Sequence, residues 1–165
     1  MKTLFLVRHA KSSWESPLLP DHERPLNARG KRDAPRMGKR LVSRGVKPDI
    51  LISSPAVRAY STAVKIAAEI DYPKDDIQVN EKLYFEGTSS VLDVIHSLIP
   101  RISSAMLFGH NPIMTQLVNY LANTTIGNVP TCGIAEIKFD AESWEEVDEG
   151  LGAMQLFDYP KRVDD

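Results

Sequence analysis

Cysteine is nearly absent. The one thiol in 165 residues, Cys132, has no partner in the chain, so no internal disulfide staples the fold and Cys132 reads as a small buried hydrophobe. None is needed at this length, because residues 1–165 suffice for one domain with a sizeable core. An excess of one charge is lacking too. Twenty basic side chains against 22 acidic ones create no global field for nucleic acid or an anionic membrane. Long apolar runs are missing: the N-terminal one spans four residues, short of a membrane span and without a signal-peptide pattern. A cytoplasmic protein with no nucleic-acid or membrane partner is expected. No His, Cys and carboxylate spacing has a metal-site rhythm, so neither metal nor cofactor is expected. A cysteine-phosphatase loop is excluded as well, because the Cys-x5-Arg pattern counted from Cys132 ends on Lys138.

What the chain does have is an alternation of short apolar runs with helical periodicity from end to end. That rhythm predicts an α/β, three-layer sandwich: a mostly parallel central sheet, helices on both faces and antiparallel edge strands toward the C-terminus. Residues 3–8 read as the first strand and 11–26 as a polar, proline-containing loop. A helix follows, capped by Asn27, with Ala34, Met37, Gly38, Leu41 and Val42 inward, kinked at Pro35 and stopped at Gly45. After a strand at 49–53, Ser54 and Pro55 offer an N-cap and first-position proline to a helix with Val57, Tyr60, Val64, Ala67 and Ala68 inward. A short strand at 77–79 precedes a helix bearing Val91, Val94, Ile95, Leu98 and Ile99. The apolar run 106–109 leads into His110, where Asn111 and Pro112 start a helix carrying Met114, Leu117, Val118 and Leu121. Beyond it Ala135, Ile137 and Phe139 alternate with polar residues, a strand pattern repeated near 154–159.

Charge is local. Residues 24–47 hold nine Lys or Arg and one acid, Asp33, against an acidic tail at 140–165. The basic stretch reads either as a solvated helix face or as a rim that attracts a phosphorylated substrate.

Three strand-to-helix junctions carry chemistry: Arg8-His9 after Leu4-Phe-Leu-Val, Ser53-Ser54 with Arg58, and His110. In a doubly wound sheet such junctions share one edge, where ligands bind. Two imidazoles and two guanidiniums thus converge beside helix N-termini that favour an anion, which predicts a phosphate pocket. Arg forks hold phosphoryl oxygens bidentately and keep their charge. An imidazole can attack phosphorus in line when its other nitrogen fixes the tautomer, and a second, protonated imidazole can donate to the phosphoryl oxygens.

These motifs resemble the histidine phosphatase superfamily. The similarity runs through Leu6-Val-Arg8-His9-Ala10, Arg24-Pro-Leu-Asn-Ala-Arg-Gly30, Ser53-Ser-Pro-Ala-Val-Arg58-Ala-Tyr-Ser-Thr62-Ala and Gly109-His110-Asn111-Pro112, in the family's order. The resemblance implies that His9 is the phosphorylated nucleophile, with Arg8, Arg58 and His110 as the rest of the pocket, and Ser13 and Asn111 as further donors to phosphate. The short chain and the wording Arg-His-Ala-Lys-Ser13 most resemble the SixA-type phosphohistidine phosphatases. Relatives acting on sugar phosphates carry an acidic proton donor after the third strand; here that neighbourhood offers Glu81 and Glu86, neither in the usual pattern. A site without a dedicated acid suits phosphohistidine better than an ester, because imidazole leaves readily once protonated and an alkoxide does not.

The expected activity is metal-independent dephosphorylation of phosphohistidine on a protein. A small-molecule phosphomonoesterase and a non-catalytic phosphate-recognition module are the rivals. His22 and His96 read as surface residues, and Trp14 and Trp144 as packing.

Overall fold

The computed structural model describes residues 1–162. Six strands form one sheet in the order β3-β2-β4-β1-β5-β6. β1 (Lys2–Arg8), β2 (Ile50–Ser53), β3 (Gln78–Val79) and β4 (Ser104–Gly109) run parallel; β5 (Ile134–Phe139) is antiparallel to β1, and β6 (Ala153–Asp158) is antiparallel to β5 at the edge. The interior strands read as continuous apolar runs because both faces are covered. Leu4 and Leu6 point into the core under α3 (Thr88–His96) and α4 (Ile113–Ala122), whereas Phe5 and Val7 point into the core under α1 (Ala28–Ser43) and α2 (Val57–Glu69). The three layers and the C-terminal antiparallel pair match the pattern expected from periodicity.

Local chemistry explains most boundaries. Asn27 Oδ1 accepts the Gly30 N–H at 2.9 Å and opens α1. At the other end Val46 N–H reaches Leu41 O and Gly45 N–H reaches Val42 O, a Schellman closure that Gly45 permits at φ 71°. The helix runs through Pro35. Its buried face holds Ala34, Met37, Gly38 and Leu41, but Val42, expected inward, is 51 % exposed.

Two other expectations are corrected. α2 starts at Val57, so Pro55 lies before the helix, and its buried stripe is Arg58, Ala59, Thr62, Ala63, Ile66 and Ala67. Val57 and Ala68 are exposed because this helix turns two polar residues inward. In α3 Val91, Val94 and Ile95 are buried, while Ile99 lies beyond the helix and is exposed.

The basic stretch has a structural use. Arg40 and Arg44 reach buried Asp158 at 3.2 and 3.0 Å and tie α1 to the end of β6, while Arg29 pairs with Asp33 at 3.3 Å. The acidic tail extends past Arg162, and its last residues lie outside those described.

Gly30 shows how tightly the first loop is seated. Its Cα faces the carbonyl of Lys11, which also accepts the Asn27 N–H at 3.0 Å, and a Cβ built there falls far inside van der Waals contact with that oxygen. Gly30→Ala is therefore expected to destabilise the protein by about 2–3 kcal/mol, the cost of overpacking against backbone. Urea unfolding checks this; an unchanged midpoint would show that the loop yields freely.

Candidate active site

Strand register builds the site. Arg8 is the partner of Gly109 in the parallel β1–β4 ladder, so the next residues, His9 and His110, leave the sheet side by side. Their ring centroids are 5.1 Å apart. Ser53 pairs with Phe108, which places Ser54 next to Gly109, and the Ser54 hydroxyl lies 2.8 Å from His110 Nε2. α2, starting three residues after Ser54, brings Arg58 to His9, with Nε 3.4 Å from His9 Nε2. The four residues expected at one mouth are together.

The tautomer of His9 follows from its partner. Nδ1 lies 2.7 Å from the Ala10 carbonyl, which only accepts, so Nδ1 carries the hydrogen and Nε2 keeps its lone pair. Arg58 Nε donates toward that lone pair at 3.4 Å. Burial, reinforced by Arg58, Arg8 and Arg24 against the Ala10 bond, pushes the His9 pKa down to about 4. Burial and then the charges of His9 and Arg58 push His110 down to about 3. Both rings are neutral at pH 7.

That depression is also a stability statement. Each imidazole titrates near 6.5 when unfolded and well below that when folded, so between those values the unfolded chain holds more protons. Stability is full above pH 6.5 and falls as pH drops toward 4, by up to about 1.4 kcal/mol per pH unit for each ring. Urea titrations at pH 7, 6 and 5 are expected to show a shallower fall in His9→Ala; equal slopes would contradict these shifts.

Two buried side-chain atoms lack a hydrogen-bond partner among the described residues: Arg8 Nε and His110 Nδ1. Arg8 Nη1 is held by the Val129 carbonyl at 3.0 Å. Orphans of this kind cost about 1–3 kcal/mol each, and both belong to residues expected to hold phosphate. The acceptor oxygens of a phosphoryl group are the partners such donors take.

Other side chains reach the mouth that the sequence did not single out. Asp21, in a 3-10 turn at Asp21–Glu23, accepts Arg58 Nη2 at 2.9 Å, Tyr84 Oη at 2.6 Å and Arg24 Nε at 3.2 Å. Partial burial raises its pKa, but the bonds from Tyr84, Arg58 and Arg24 prevail and hold it below the usual carboxylate range. Phe85 stacks on His110 with centroids 4.7 Å apart, and Tyr84 meets the same ring edge-on. Thr62 Oγ1 accepts the Ala10 N–H at 2.9 Å and donates to Arg58 O, locking strand end to helix. Arg24, buried beneath the Trp14 ring, donates to Ser12 Oγ at 2.8 Å and pins the loop. The motif around Arg24 is thus scaffold for the pocket wall.

The weaker expectations land differently. The Ser13 hydroxyl accepts the Glu15 N–H in a local turn. Asn111 accepts the Thr115 N–H at 3.1 Å, as a cap would, and its amide donates to Asn128 Oδ1 and Val129 O. Glu81 and Glu86 are exposed, with no side-chain hydrogen bond to the imidazoles or Arg58 among the described residues. The Cys132 thiol is fully buried, and burial pushes its pKa up. His22 is exposed, but His96 is half-buried against the Val147 carbonyl at 2.7 Å. Trp144 packs in the core, donating to Ile102 O, whereas Trp14 stands 73 % exposed. No helix is long and apolar enough to cross a membrane, and no cluster of three His, Cys, Asp or Glu is placed to hold a metal ion among the described residues.

Comparison with known proteins agrees with this geometry. Residues 4–84 match the model of the histidine phosphatase superfamily (branch 1). A chloroplastic protein of Arabidopsis thaliana is 33 % identical over 153 residues, spanning 88 % of this chain and 70 % of the relative. The crystal structure of an Agrobacterium tumefaciens protein assigned as phosphohistidine phosphatase SixA superposes with a TM-score of 0.80 at 25 % identity, covering 96 % of this chain and 98 % of that one. The protein histidine phosphatase SixA complexed with tungstate superposes at 0.82 and 22 % identity, covering 96 % and 97 %. Small-molecule phosphatases share the fold at lower similarity. The match over the strand, loop and helix that carry Arg8, His9, Arg24 and Arg58 settles the affiliation: the chain belongs to the histidine phosphatase superfamily, with the architecture of its SixA-type branch.

Proposed function

We propose that this phosphatase takes a phosphoryl group onto His9 Nε2 and passes it to water, acting on phosphohistidine of a protein without a metal ion. The observation that carries the reading is the His9 geometry: a neutral ring, its proton fixed on Nδ1 by Ala10, its Nε2 lone pair under the Arg58 guanidinium. Attack forms an Nε2–P bond as the P–N bond to the substrate imidazole breaks, and that imidazole leaves with a proton from solvent. Water then attacks phosphorus, His9 departs with its lone pair restored, and phosphate is released. Arg8 and Arg58 hold the equatorial oxygens as charge spreads over them. His110, neutral by itself, is driven toward its protonated form by a phosphoryl group beside Nδ1 and then donates to it.

Phosphohistidine is favoured over an ester because the carboxylate bonded at the mouth, Asp21, is held ionised and has no proton to give to an alkoxide. A protein substrate is favoured because apolar side chains stand exposed at the site: Phe85, stacked on His110, and Trp14, lying over Arg24. Side-by-side hydrolysis of a phosphohistidine peptide and simple monoesters, with EDTA present and His9→Ala as control, tests this. Strong preference for the phosphoramidate is expected. Preference for esters would move the assignment to a metabolite phosphatase and the acid to Glu81 or Glu86; turnover of neither would leave a phosphate-recognition module.

A further inference from the structure

Each nitrogen of Arg58 has a partner within the chain, and its Nη1/Nη2 end is turned to Asp21. Nη1 donates to the Asp21 carbonyl at 2.7 Å, Nη2 to Asp21 Oδ2 at 2.9 Å, and Nε faces His9 Nε2 at 3.4 Å. A phosphoryl group on His9 meets the Nε side of that guanidinium and competes with Asp21 for its Nη1/Nη2 end. The carboxylate cannot travel far once released, because Tyr84 Oη holds Oδ2 at 2.6 Å and Arg24 Nε holds Oδ1 at 3.2 Å. Arg24 is itself fixed by Ser12 and Trp14, and Tyr84 by its contact with the His110 ring. A negative charge thus remains at the mouth.

We propose that Asp21 is the specificity-determining residue of the site: an internal carboxylate that competes with the phosphoryl group for Arg58 and lies beside the leaving group, favouring a protonatable nitrogen over a carboxylated ester. This rests on the phosphate pocket assigned above. An imidazole acquiring its proton becomes cationic next to Asp21, which attracts it, whereas a leaving group that carries a carboxylate meets like charge. Asp21 also weakens inorganic phosphate as a ligand, because its charge opposes the anion and competes with it for Arg58.

The test compares wild type, Asp21→Asn and Asp21→Glu in two measurements: calorimetric affinity for inorganic phosphate, and the kcat/KM ratio of a phosphohistidine peptide to 2-phosphoglycolate. Asp21→Asn is expected to bind phosphate about tenfold tighter and to lower the ratio by five- to tenfold, the size of one partly screened charge pair, mainly through a lower KM for phosphoglycolate. Asp21→Glu keeps the charge and is expected to move both values back toward wild type, which a purely packing role would not produce. Weaker phosphate binding in Asp21→Asn would show that Asp21 only orients Arg58 and would overturn the proposal, as would an unchanged ratio. Absence of phosphate binding in all three proteins would overturn the pocket assignment itself, and this proposal with it.

Discussion

Turnover in His9→Ala is expected to fall by at least about a thousandfold, with the thermal unfolding transition retained. The substitution removes the nitrogen that attacks phosphorus, and no other side chain at the mouth can take its place. His110 Nε2 is engaged by Ser54 at 2.8 Å, and its Nδ1 serves as a donor to the phosphoryl oxygens, a role in which it carries a proton and has no lone pair for attack. The fold survives because the bonds that seat residue 9 are main-chain: its N–H donates to Gly109 O at 3.1 Å and its carbonyl accepts from Cys132 N at 3.0 Å. Activity near wild type in a folded His9→Ala protein would end the histidine-nucleophile mechanism.

Arg58→Ala carries the second largest effect. Inorganic phosphate affinity and kcat/KM are each expected to drop by about a hundredfold or more, because a bidentate cationic donor set is lost where phosphoryl charge develops. The side chain is 2 % exposed and pairs with Asp21, so its removal also leaves that carboxylate with Tyr84 and Arg24 alone. The loss of a buried charged hydrogen bond costs about 1–3 kcal/mol of stability. Arg58→Lys separates the two effects. It keeps a cation in the cavity but not the fork, and is expected to regain stability while recovering only part of the phosphate affinity. Full recovery of affinity in Arg58→Lys would show that charge alone, and not the planar fork, holds the anion.

The sequence showed the parts of this molecule that periodicity and strand ends encode. The apolar runs before Arg8 and His110 became adjacent strands in register, and that adjacency is why two histidines about a hundred positions apart come within ring contact. Arg58 was legible as part of a strand-to-helix junction at the sheet edge where ligands bind. The rest of α2 was not, because helical periodicity treats polar residues as outward-facing. Here Arg58 and Thr62 face inward to serve the site, so the buried stripe is rotated from the one that apolar residues define. Ser54 looks like a helix cap in sequence, but its hydroxyl faces His110. Asp21, Tyr84 and Phe85 had no sequence signal. They come from two irregular segments about sixty positions apart, and only tertiary contact makes them neighbours. Gly30 was visible as part of a motif, although the need for glycine there arises from the Lys11 carbonyl pressed against it.

The most direct measurement is to trap the intermediate. A 32P-labelled phosphohistidine peptide is mixed with enzyme, quenched in alkali within a turnover, and the labelled enzyme is digested and mapped. A histidine nucleophile predicts an alkali-stable, acid-labile phosphoramidate on the peptide containing His9, attached through Nε2 because Nδ1 is committed to Ala10. Steady product release with no label on His9, or with the label on His110, would contradict it.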